Sequence, residues 1–437
     1  MNALDLAYAI GGVVSAPWWA RKSRAGWAER LGRIEAVPAP PAGRKRVLLH
    51  AVSVGEVNAI RGLVPLLDRH VDVVIAATTD TGLARARELF APRHAVRRYP
   101  LDLSGGVARF LDAVRPDLAV LVELEVWPNF IGACAQRGIG VGIINGRLSE
   151  RSFRGYRRFR RIVARMFAPL TFVCAQEPAY RDRFLALGVR PDRVRVSGSM
   201  KWDSVSMAEH IPGANELARE MGIRRDRPLI VAGSTGPWSP GTARSGLSES
   251  LRTAHDRRTE EALLHAACPE GVQLLCAPRK PERFEEAASS LPGVVRRSDR
   301  PGGTRSASCD RFLLDTLGEL RAAYSLATVA VVGRSFGGLY GSDVIEPIAL
   351  GIPTIIGPYF GDFESIVRSF EQGGGITVAD AADLPKVLRE LLGDEGRRRT
   401  IAAAGRRVIE TNRGATARHA REILGALGVG ATIDGAG

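Results

Sequence analysis

The sequence predicts an α/β protein built from two doubly wound domains, and two observations lead to this prediction. Short apolar runs rich in β-branched residues alternate with helical patterns along the chain. Runs this short, separated by helices, are typical of parallel strands buried on both faces. The runs also fall into two series, separated by residues 203–228, which show no strand pattern. We therefore expect two doubly wound domains facing a cleft, with the functional site in that cleft.

Each series includes six short runs that predict strands. In the first domain they are residues 47–51, 73–77, 118–123, 141–145, 172–176 and 194–198. In the second domain they are residues 229–233, 272–278, 312–315, 329–333, 353–357 and 375–378. Helical patterns such as 104–114 and 382–392 separate the strands. The chain is thus divided into an N-terminal segment (1–35), a first domain (36–215) and a second domain (216–427), whose last helices could pack back on the first.

The composition excludes several classes of protein. Hydrophobic residues make up 45% and charged residues 25% of the chain, which argues against a disordered or fibrous protein. There are 61 Lys and Arg against 47 Asp and Glu, a formal net charge of +14. Such an excess favours an anionic partner: nucleic acid, a phosphate-bearing substrate or an acidic membrane surface. Five scattered cysteines without a Cys-x-x-Cys pair argue against a disulfide framework and a zinc site.

The N-terminal segment has features of a membrane-associated segment. Residues 3–20 are mostly apolar, are interrupted by Asp5, and end in Trp18 and Trp19, with several cations following. A secretory signal would carry its positive charge before the apolar run. Tryptophans followed by cations fit an anchor on the cytoplasmic side of a membrane interface. The alternative is an ordinary buried helix.

Carboxylates follow the first and third predicted strands. Glu56 opens a helix directly after the first strand, where it can act as a general base in the cleft. Alternatively, it merely complements the positive end of that helix. Glu123 and Glu125 stand at the end of the third strand, two residues apart, so their side chains share a face. For these two, helix capping and surface charge are the alternative.

A basic helical stretch spans residues 147–165. Its eight arginines are opposed locally only by Glu150, and Phe153, Tyr156 and Phe159 recur at every third position. Arginine binds phosphate in a bidentate manner, so the stretch fits a phosphorylated partner. A solvated basic helix that packs through its aromatic side is the alternative. The sequence contains no pattern of a known nucleic-acid-binding module.

Three strand-to-helix loops of the second domain together favour a nucleotide site. They are residues 233–235, 278–284 and 333–347. Glycines next to helix N-termini expose backbone N–H groups that can hold phosphate. Glu346 could bind a ribose. Each loop alone could be an ordinary turn, since neither GxGxxG nor GxxxxGK[ST] occurs.

Together these residues resemble the 3-deoxy-D-manno-octulosonic acid (Kdo) transferases, which add Kdo to the lipid A precursor. The resemblance covers nearly the whole chain. Its most specific motifs in the first domain are Ser53-Val54-Gly55-Glu56, Glu123-x-Glu125-x-Trp127-Pro128-Asn129, Asn145-x-Arg147-Leu148-Ser149 and Gly198-Ser199-Met200-Lys201. In the second domain they are Ala232-Gly233-Ser234-Thr235, Pro278-Arg279 and Glu346-Pro347.

The resemblance implies an inverting glycosyltransferase that uses CMP-Kdo as its donor and no metal ion. It implies two Rossmann-like domains of the GT-B type. Glu56 would be the general base, and Glu123 and Lys201 would stabilise the transition state. The donor-binding residues would be Pro278 and Arg279 at the phosphate, Gly318, Glu319 and Leu320 near the cytidine, and Asp343, Val344, Ile345 and Glu346 at the nucleotide.

The resemblance also implies a place in lipopolysaccharide biosynthesis. The acceptor would be a phosphorylated lipid A precursor at the cytoplasmic face of the inner membrane, with no nucleic acid as partner. The chain departs from the family pattern at Ser199, Lys280, Ser342 and Asp343, and it carries an additional loop at residues 236–258.

Two alternatives remain at this stage. Another nucleotide-sugar enzyme of the same architecture, with a different donor or epimerase activity, would contain similar nucleotide loops. A non-enzymatic basic protein that binds a membrane surface or nucleic acid would share the positive charge.

Overall fold

The computed structural model describes residues 5, 8, 26–208, 210–238, 259–299 and 309–430. The chain forms two compact units, of which the first comprises Met1–Ser204 and Asn412–Gly437, and the second Val205–Thr411. The division after Ser204 falls within the interval 203–228 that lacks a strand pattern. It comes earlier in the chain than the boundary expected between residues 215 and 216.

In its described residues, the first unit is a single parallel sheet with helices on both faces. Its strands are β1 (Arg46–His50), β2 (Asp72–Ala77), β3 (Ala95–Arg98), β4 (Leu118–Val122), β5 (Gly140–Gly146), β6 (Phe172–Ala175) and β7 (Val194–Val196). They lie in the order β3-β2-β1-β4-β5-β6-β7. The helices are α1 (Trp27–Arg30), α2 (Val54–Ala59), α3 (Leu63–Asp68), α4 (Asp80–Phe90), α5 (Ser104–Val114), α6 (Pro128–Gln136), α7 (Glu150–Arg158), α8 (Arg160–Phe167) and α9 (Pro178–Ala186).

The second unit has the same architecture within its described residues. Its strands are β8 (Leu229–Thr235), β9 (Gln273–Pro278), β10 (Val295–Arg296), β11 (Arg311–Leu313), β12 (Val329–Val332), β13 (Thr354–Ile356) and β14 (Thr377–Val378). They lie in the order β10-β11-β9-β8-β12-β13-β14, and every pairing is parallel. The remaining helices are α10 (Ala214–Met221), α11 (Glu260–Ala267), α12 (Phe284–Ser289), α13 (Leu320–Ser325), α14 (Ile345–Ala349), α15 (Glu364–Gln372), α16 (Leu384–Gly393), α17 (Glu395–Asn412) and α18 (Ala415–Ala426).

Alternate residues of the central strands explain why both faces of the first sheet are covered. Leu48 and Val74 lie in an apolar cluster on one face, whereas Leu49 and Ile75 lie in a second cluster on the other. Successive side chains of a strand point to opposite faces, so a run of apolar residues requires a layer of helices on each side. The predicted α/β class with two doubly wound sheets is confirmed.

Two strands, β3 and the two-residue β10, were not among those predicted. Both lie at the edges of their sheets and contain arginine. Arg98 of β3 is buried, and its guanidinium contacts Glu29 at 3.0 Å and Asp80 at 2.7 Å. Charged residues are common in edge strands, which a search for apolar runs does not detect.

The last helix, α18, packs on the first unit. Ile423 and Leu424 are buried in the same cluster as Leu63 and Leu67 of α3. The carboxylate of Asp203 accepts hydrogen bonds from the backbone N–H groups of Gly414 at 2.7 Å and Thr416 at 2.6 Å. The chain therefore returns to the first unit next to the place where it leaves it.

The basic stretch forms two helices rather than one. Between α7 and α8, Phe159 adopts φ −115° and ψ 32°, which is outside the helical region. Phe153 and Tyr156 pack against the core, whereas the Phe159 side chain is 60% exposed. The alternative of a single basic helix that packs through its aromatic side therefore fails at Phe159.

Within the apolar run 3–20 of the N-terminal segment, the structure describes only Asp5 and Tyr8. The Asp5 carboxylate accepts a hydrogen bond from the Ser104 backbone N–H at 2.8 Å, and the Tyr8 hydroxyl donates to Asp102 at 3.1 Å. Trp18, Trp19 and residues 239–258 of the predicted additional loop lie outside the described residues. In the part of the chain that the structure describes, no helix has the length and apolar character needed to cross a membrane.

Candidate active site

The strand order of the first unit marks where a ligand would bind. β1 and β4 are neighbours in the sheet, although β2 and β3 come between them in the chain. The direction of winding reverses at this point, and doubly wound sheets bind ligands there, beyond the carboxyl ends of the strands. Glu56 follows β1, and Glu123 directly follows β4. The two predicted catalytic carboxylates therefore flank the switch point.

Glu56 lies in the first turn of α2, with its side chain folded back over the helix start. Ser53 is the N-cap, and its Oγ accepts a hydrogen bond from the Glu56 backbone N–H at 3.5 Å. The Glu56 carboxylate in turn accepts from the Val52 backbone N–H at 2.8 Å and from the Ser53 hydroxyl at 2.9 Å. This reciprocal arrangement resembles a capping box and fixes the orientation of the carboxylate.

Burial raises the pKa of Glu56 to about 7. The nearby charges of Glu123 and Glu125 raise the pKa further, while the bonds from Val52 and Ser53 oppose the shift. A carboxylate that only complemented a helix N-terminus would have a lowered pKa, because the helix favours its charged form. The direction of the shift instead suits a group that accepts a proton near neutral pH.

Glu123 and Glu125 follow β4 in an unusual backbone conformation. Glu123 has φ +63°, in the left-handed region that non-glycine residues rarely occupy, and its N–H donates to Ile144 of β5 at 3.0 Å. Burial raises the pKa of Glu125, although the indole N–H of Trp127 donates to its carboxylate at 2.9 Å. Residues held in such conformations concentrate at functional sites.

Lys201 lies in a short 3-10 turn, Met200–Trp202, which follows β7. β7 is an edge strand of the sheet, but the turn that follows it is hydrogen-bonded to the end of β5, nearer the centre of the sheet. The Met200 backbone N–H donates to Asn145 Oδ1 at 3.1 Å, and Asn145 N–H donates to His419 Nε2 at 2.8 Å. Asn145 and His419 are buried, so α18 supports the turn that carries Lys201. The role of His419 was not predictable from the sequence, since its partner Asn145 lies far away in the chain.

Pro278 and Arg279 lie at the carboxyl end of β9 in the second unit. Pro278 is the last, buried residue of the strand, and Arg279 is exposed. The Arg279 backbone N–H donates to the carbonyl of Thr235, at the end of β8, at 3.0 Å. The loop that carries this guanidinium is thus fixed to the neighbouring strand.

Gly318, Glu319 and Leu320 connect β11 to α13. Gly318 has φ +91°, a conformation that favours glycine. Glu319 precedes the helix, and its carboxylate pairs with Arg297 at 2.9 Å. Arg297 also contacts Glu220 at 2.5 Å. The Glu319 side chain is therefore engaged within the protein.

Asp343 and Glu346 lie at the start of α14. Asp343 is exposed, and its carboxylate accepts from the Ile345 backbone N–H at 2.9 Å, while Val344 and Ile345 are buried. Burial raises the pKa of Glu346; the charge of Arg321 lowers it and that of Asp343 raises it. Nowhere in the described ranges do three or more His, Cys, Asp or Glu side chains form a group that could hold a metal ion.

Two buried carboxylates at the start of α11 were missed by the sequence analysis. Glu260 and Glu261 are fully buried, although acidic residues in a first helical turn are usually exposed. The Glu260 carboxylate accepts hydrogen bonds from four backbone N–H groups: Gly236 at 2.8 Å, Arg334 at 2.6 Å, Ser335 at 2.9 Å and Phe336 at 3.1 Å. The expectation that this part of loop 333–347 offers its N–H groups to phosphate is therefore wrong, because Glu260 occupies them.

Comparisons with known proteins identify the family. A family model of 3-deoxy-D-manno-octulosonic-acid transferase matches residues 25–204. The 3-deoxy-D-manno-octulosonic acid transferase of Bordetella pertussis is 31% identical over 436 residues, covering 94% of this chain and 96% of that protein. The chain belongs to this family. Its relative of the same name from Haemophilus influenzae is 31% identical over 90% of this chain and 89% of that protein.

Membership of the Kdo transferase family makes the chain a glycosyltransferase. A solved structure of a glycosyltransferase from Rickettsia africae shares the fold, with a TM-score of 0.58 and 12% identity. That likeness covers 88% of this chain and 99% of the other. The two Rossmann-like units are therefore of the GT-B type, as expected. The family match also includes Glu56, Glu123 and Lys201.

Proposed function

We propose that this protein transfers Kdo from CMP-Kdo to a phosphorylated lipid A precursor, with inversion at the anomeric carbon, in lipopolysaccharide biosynthesis. The observation that carries the proposal is the Glu56 carboxylate at the β1/β4 switch point. It is oriented by Val52 and Ser53, and its pKa is raised to about 7, in a chain of the Kdo transferase family.

In the proposed reaction, Glu56 accepts the proton of the acceptor hydroxyl as its oxygen attacks the anomeric carbon of Kdo. The bond from that carbon to the CMP phosphate breaks, and CMP leaves with the bonding electron pair. Lys201 and Glu123 stabilise the charge that develops in the transition state. Arg279 and the loops around Gly318 and Asp343 hold the nucleotide, so that a fixed cation takes the place of a metal ion.

Charge and exposed aromatic groups of the first unit support a lipid-embedded, phosphorylated acceptor. Helix α7 has no buried residue. Glu150 is the only acidic residue on that helix that offsets the positive charge of its arginines. Phe159, which directly follows α7, is 60% exposed, and Trp27 and Trp127 of the same unit are 48% and 40% exposed. Arginine with exposed aromatic residues suits an anionic membrane interface. We place the protein at the cytoplasmic face of the inner membrane.

The function is tested by incubating the protein with a lipid A precursor and with CMP-Kdo generated in situ. Mass spectrometry of the lipid should show the mass of added Kdo. Reactions that lack CMP-Kdo or contain the Glu56→Gln variant serve as controls. A lipid that gains no mass, with protein that is folded and binds CMP, would contradict the proposed acceptor or donor.

We predict an acidic limb in the pH profile of kcat/KM. The base must be ionised, so kcat/KM should fall about tenfold per pH unit below the Glu56 pKa of about 7. Since the Glu125 charge helps raise this pKa, Glu125→Gln should move the limb to lower pH. Gln can still accept the Trp127 hydrogen bond. A limb that stays in place in Glu125→Gln would contradict the assignment of the limb to Glu56.

We also predict that transfer needs no divalent metal. Metal-dependent sugar-nucleotide enzymes usually place a short Asp-x-Asp run beside a diphosphate, and this sequence contains no Asp-x-Asp. CMP-Kdo has a single phosphate, which supplies few of the oxygen ligands that hard cations need. Excess EDTA, added after the donor has formed, should leave the initial rate unchanged. A rate lost in EDTA and restored by magnesium would refute this and point to Asp343.

A further inference from the structure

Glu260 joins two loops of the second unit at the point where its sheet reverses direction. β8 and β12 are neighbours, although β9, β10 and β11 come between them in the chain. One carboxylate oxygen of Glu260 accepts hydrogen bonds from the backbone N–H of Gly236, which follows β8, and from that of Arg334, which follows β12. The other accepts from Ser335 and Phe336. A single buried side chain thus spans the β8/β12 switch point, where doubly wound sheets bind ligands.

The two loops approach each other closely and are held in unusual conformations. Ser234 and Arg334 have φ +57° and +58°, which is rare for residues other than glycine. A Cβ atom on Gly333 would come within 2.6 Å of Thr235 Cα and 2.7 Å of the Glu260 carboxylate. Strained backbone persists only where its surroundings fix it. At Arg334 these surroundings include the Glu260 carboxylate, which accepts its N–H, and the Gly341 N–H, which donates to its carbonyl at 3.0 Å.

Successive N–H groups that converge on one point form an anion-binding concavity, which many proteins use for phosphate. Arg334, Ser335 and Phe336 form such a concavity around the carboxyl group of Glu260. Burial raises the pKa of Glu260 to about 7, while the N–H groups of Arg334, Phe336 and Gly236 lower it because they stabilise the charged form. The neighbouring Glu261 has a different role. Its carboxylate accepts from the Thr235 hydroxyl at 2.5 Å and pairs with Arg283 at 3.4 Å, so it contacts side chains rather than the backbone N–H groups of this loop.

The contacts around Gly236 close the base of the additional segment. The Glu260 backbone N–H donates to the Gly236 carbonyl at 3.1 Å, and Pro237 and Thr259 form an antiparallel bridge. Trp238, fully buried, donates its indole N–H to the Phe336 carbonyl at 3.1 Å. Residues 236–238, before the additional loop, are thus joined directly to residues 259–260, after it. Both ends of the additional loop are therefore held at the β8/β12 switch point.

We infer that Glu260 is a positioning residue for the donor site: it acts as an internal anion that shapes the two loops at the β8/β12 switch point. The donor phosphate is then excluded from the N–H groups of residues 334–336 and must be bound by other groups, such as Arg279. The inference rests on the proposed function in one respect, namely that the second unit binds the CMP part of the donor.

The test compares Glu260→Gln with wild-type protein by amide hydrogen exchange without nucleotide. Gln keeps one acceptor oxygen but turns an NH₂ group towards N–H donors. The amides of residues 334–336 should exchange at least about 100-fold faster in Glu260→Gln, while the strands β8 and β12 stay protected. Glu261→Gln is the matched control, because it removes an equally buried neighbouring charge but should leave these amides protected. Unchanged protection in Glu260→Gln would overturn the inference.

A second arm measures CMP binding by calorimetry and repeats the exchange with CMP bound. In Glu260→Gln the affinity for CMP should fall about tenfold, with KM for the donor rising and KM for the acceptor unchanged. Additional protection of amides 334–336 on adding CMP to wild-type protein would show that they contact the phosphate, and would overturn the inference. If wild-type protein does not bind CMP, the proposed function fails, whereas the exchange comparison without nucleotide still decides the role of Glu260. Should Glu260→Gln not fold, Glu260→Asp, which keeps the charge on a shorter side chain, is compared in the same way.

Discussion

Replacing Glu56 with Gln should lower kcat/KM by about 100- to 10,000-fold, the usual loss when a general base is removed. Gln has nearly the same shape and keeps an oxygen that can accept the Val52 N–H or Ser53 hydroxyl bond. It cannot accept the proton of the acceptor hydroxyl. The fold should therefore survive, and CMP binding should be unchanged, because the proposed nucleotide contacts lie in the second unit. Steady-state kinetics and CMP calorimetry measure the two effects separately.

Glu88→Gln provides the matched control for this prediction. Glu88 lies in α4 of the same unit, is exposed, and pairs with Arg85 at 2.7 Å. Its replacement also removes one carboxylate but should leave kcat/KM near the wild-type value. Comparable turnover by a well-folded Glu56→Gln variant would remove Glu56 from the role of base. A Glu56→Gln variant that melts far below wild type would instead show that the capping contacts of Glu56 are needed for folding.

The central strands and the residues at their ends were predictable because the signal is local. β1, β4 and β8 have apolar residues at their centres and both faces buried, and each is followed within a few residues by a polar motif. Since the carboxyl ends of parallel strands meet at one edge, Glu56 and Glu123 could be placed at that edge from the sequence alone. The edge strand β3 could not, since its arginines break the apolar pattern.

The contacts that fix the site were not predictable, because they join residues far apart in the chain. Nothing near Glu260 indicates that its four N–H partners come from two other loops. An acidic pair at a helix start predicts an exposed position beside the positive helix end, and the structure instead buries it. Lys201 likewise depends on Asn145 and on His419 of the last helix. These arrangements follow from the three-dimensional fold rather than from local sequence.

Replacing Arg279 with Ala should weaken CMP binding and transfer together. Arg279 is exposed at the end of β9, and its backbone N–H donates to the Thr235 carbonyl. The backbone from which the guanidinium extends is therefore held in place. The N–H groups of residues 334–336 are already bound to Glu260, which increases the dependence of the donor phosphate on this cation. A charge-assisted hydrogen bond contributes about 1.5–3 kcal/mol, or about 10- to 150-fold in affinity.

Two further variants separate the geometry of Arg279 from its charge. Arg279→Lys keeps the positive charge but loses the planar fork that binds phosphate in a bidentate manner, so it should lie between wild type and Arg279→Ala. Lys280→Ala removes the neighbouring exposed cation and should change CMP affinity little, because the family resemblance assigns the phosphate to Arg279. Calorimetry of CMP with the three variants measures this order. Equal CMP affinity in Arg279→Ala and wild type would show that the phosphate is bound elsewhere. If Lys280→Ala bound CMP most weakly, Lys280 rather than Arg279 would be the residue that binds the phosphate.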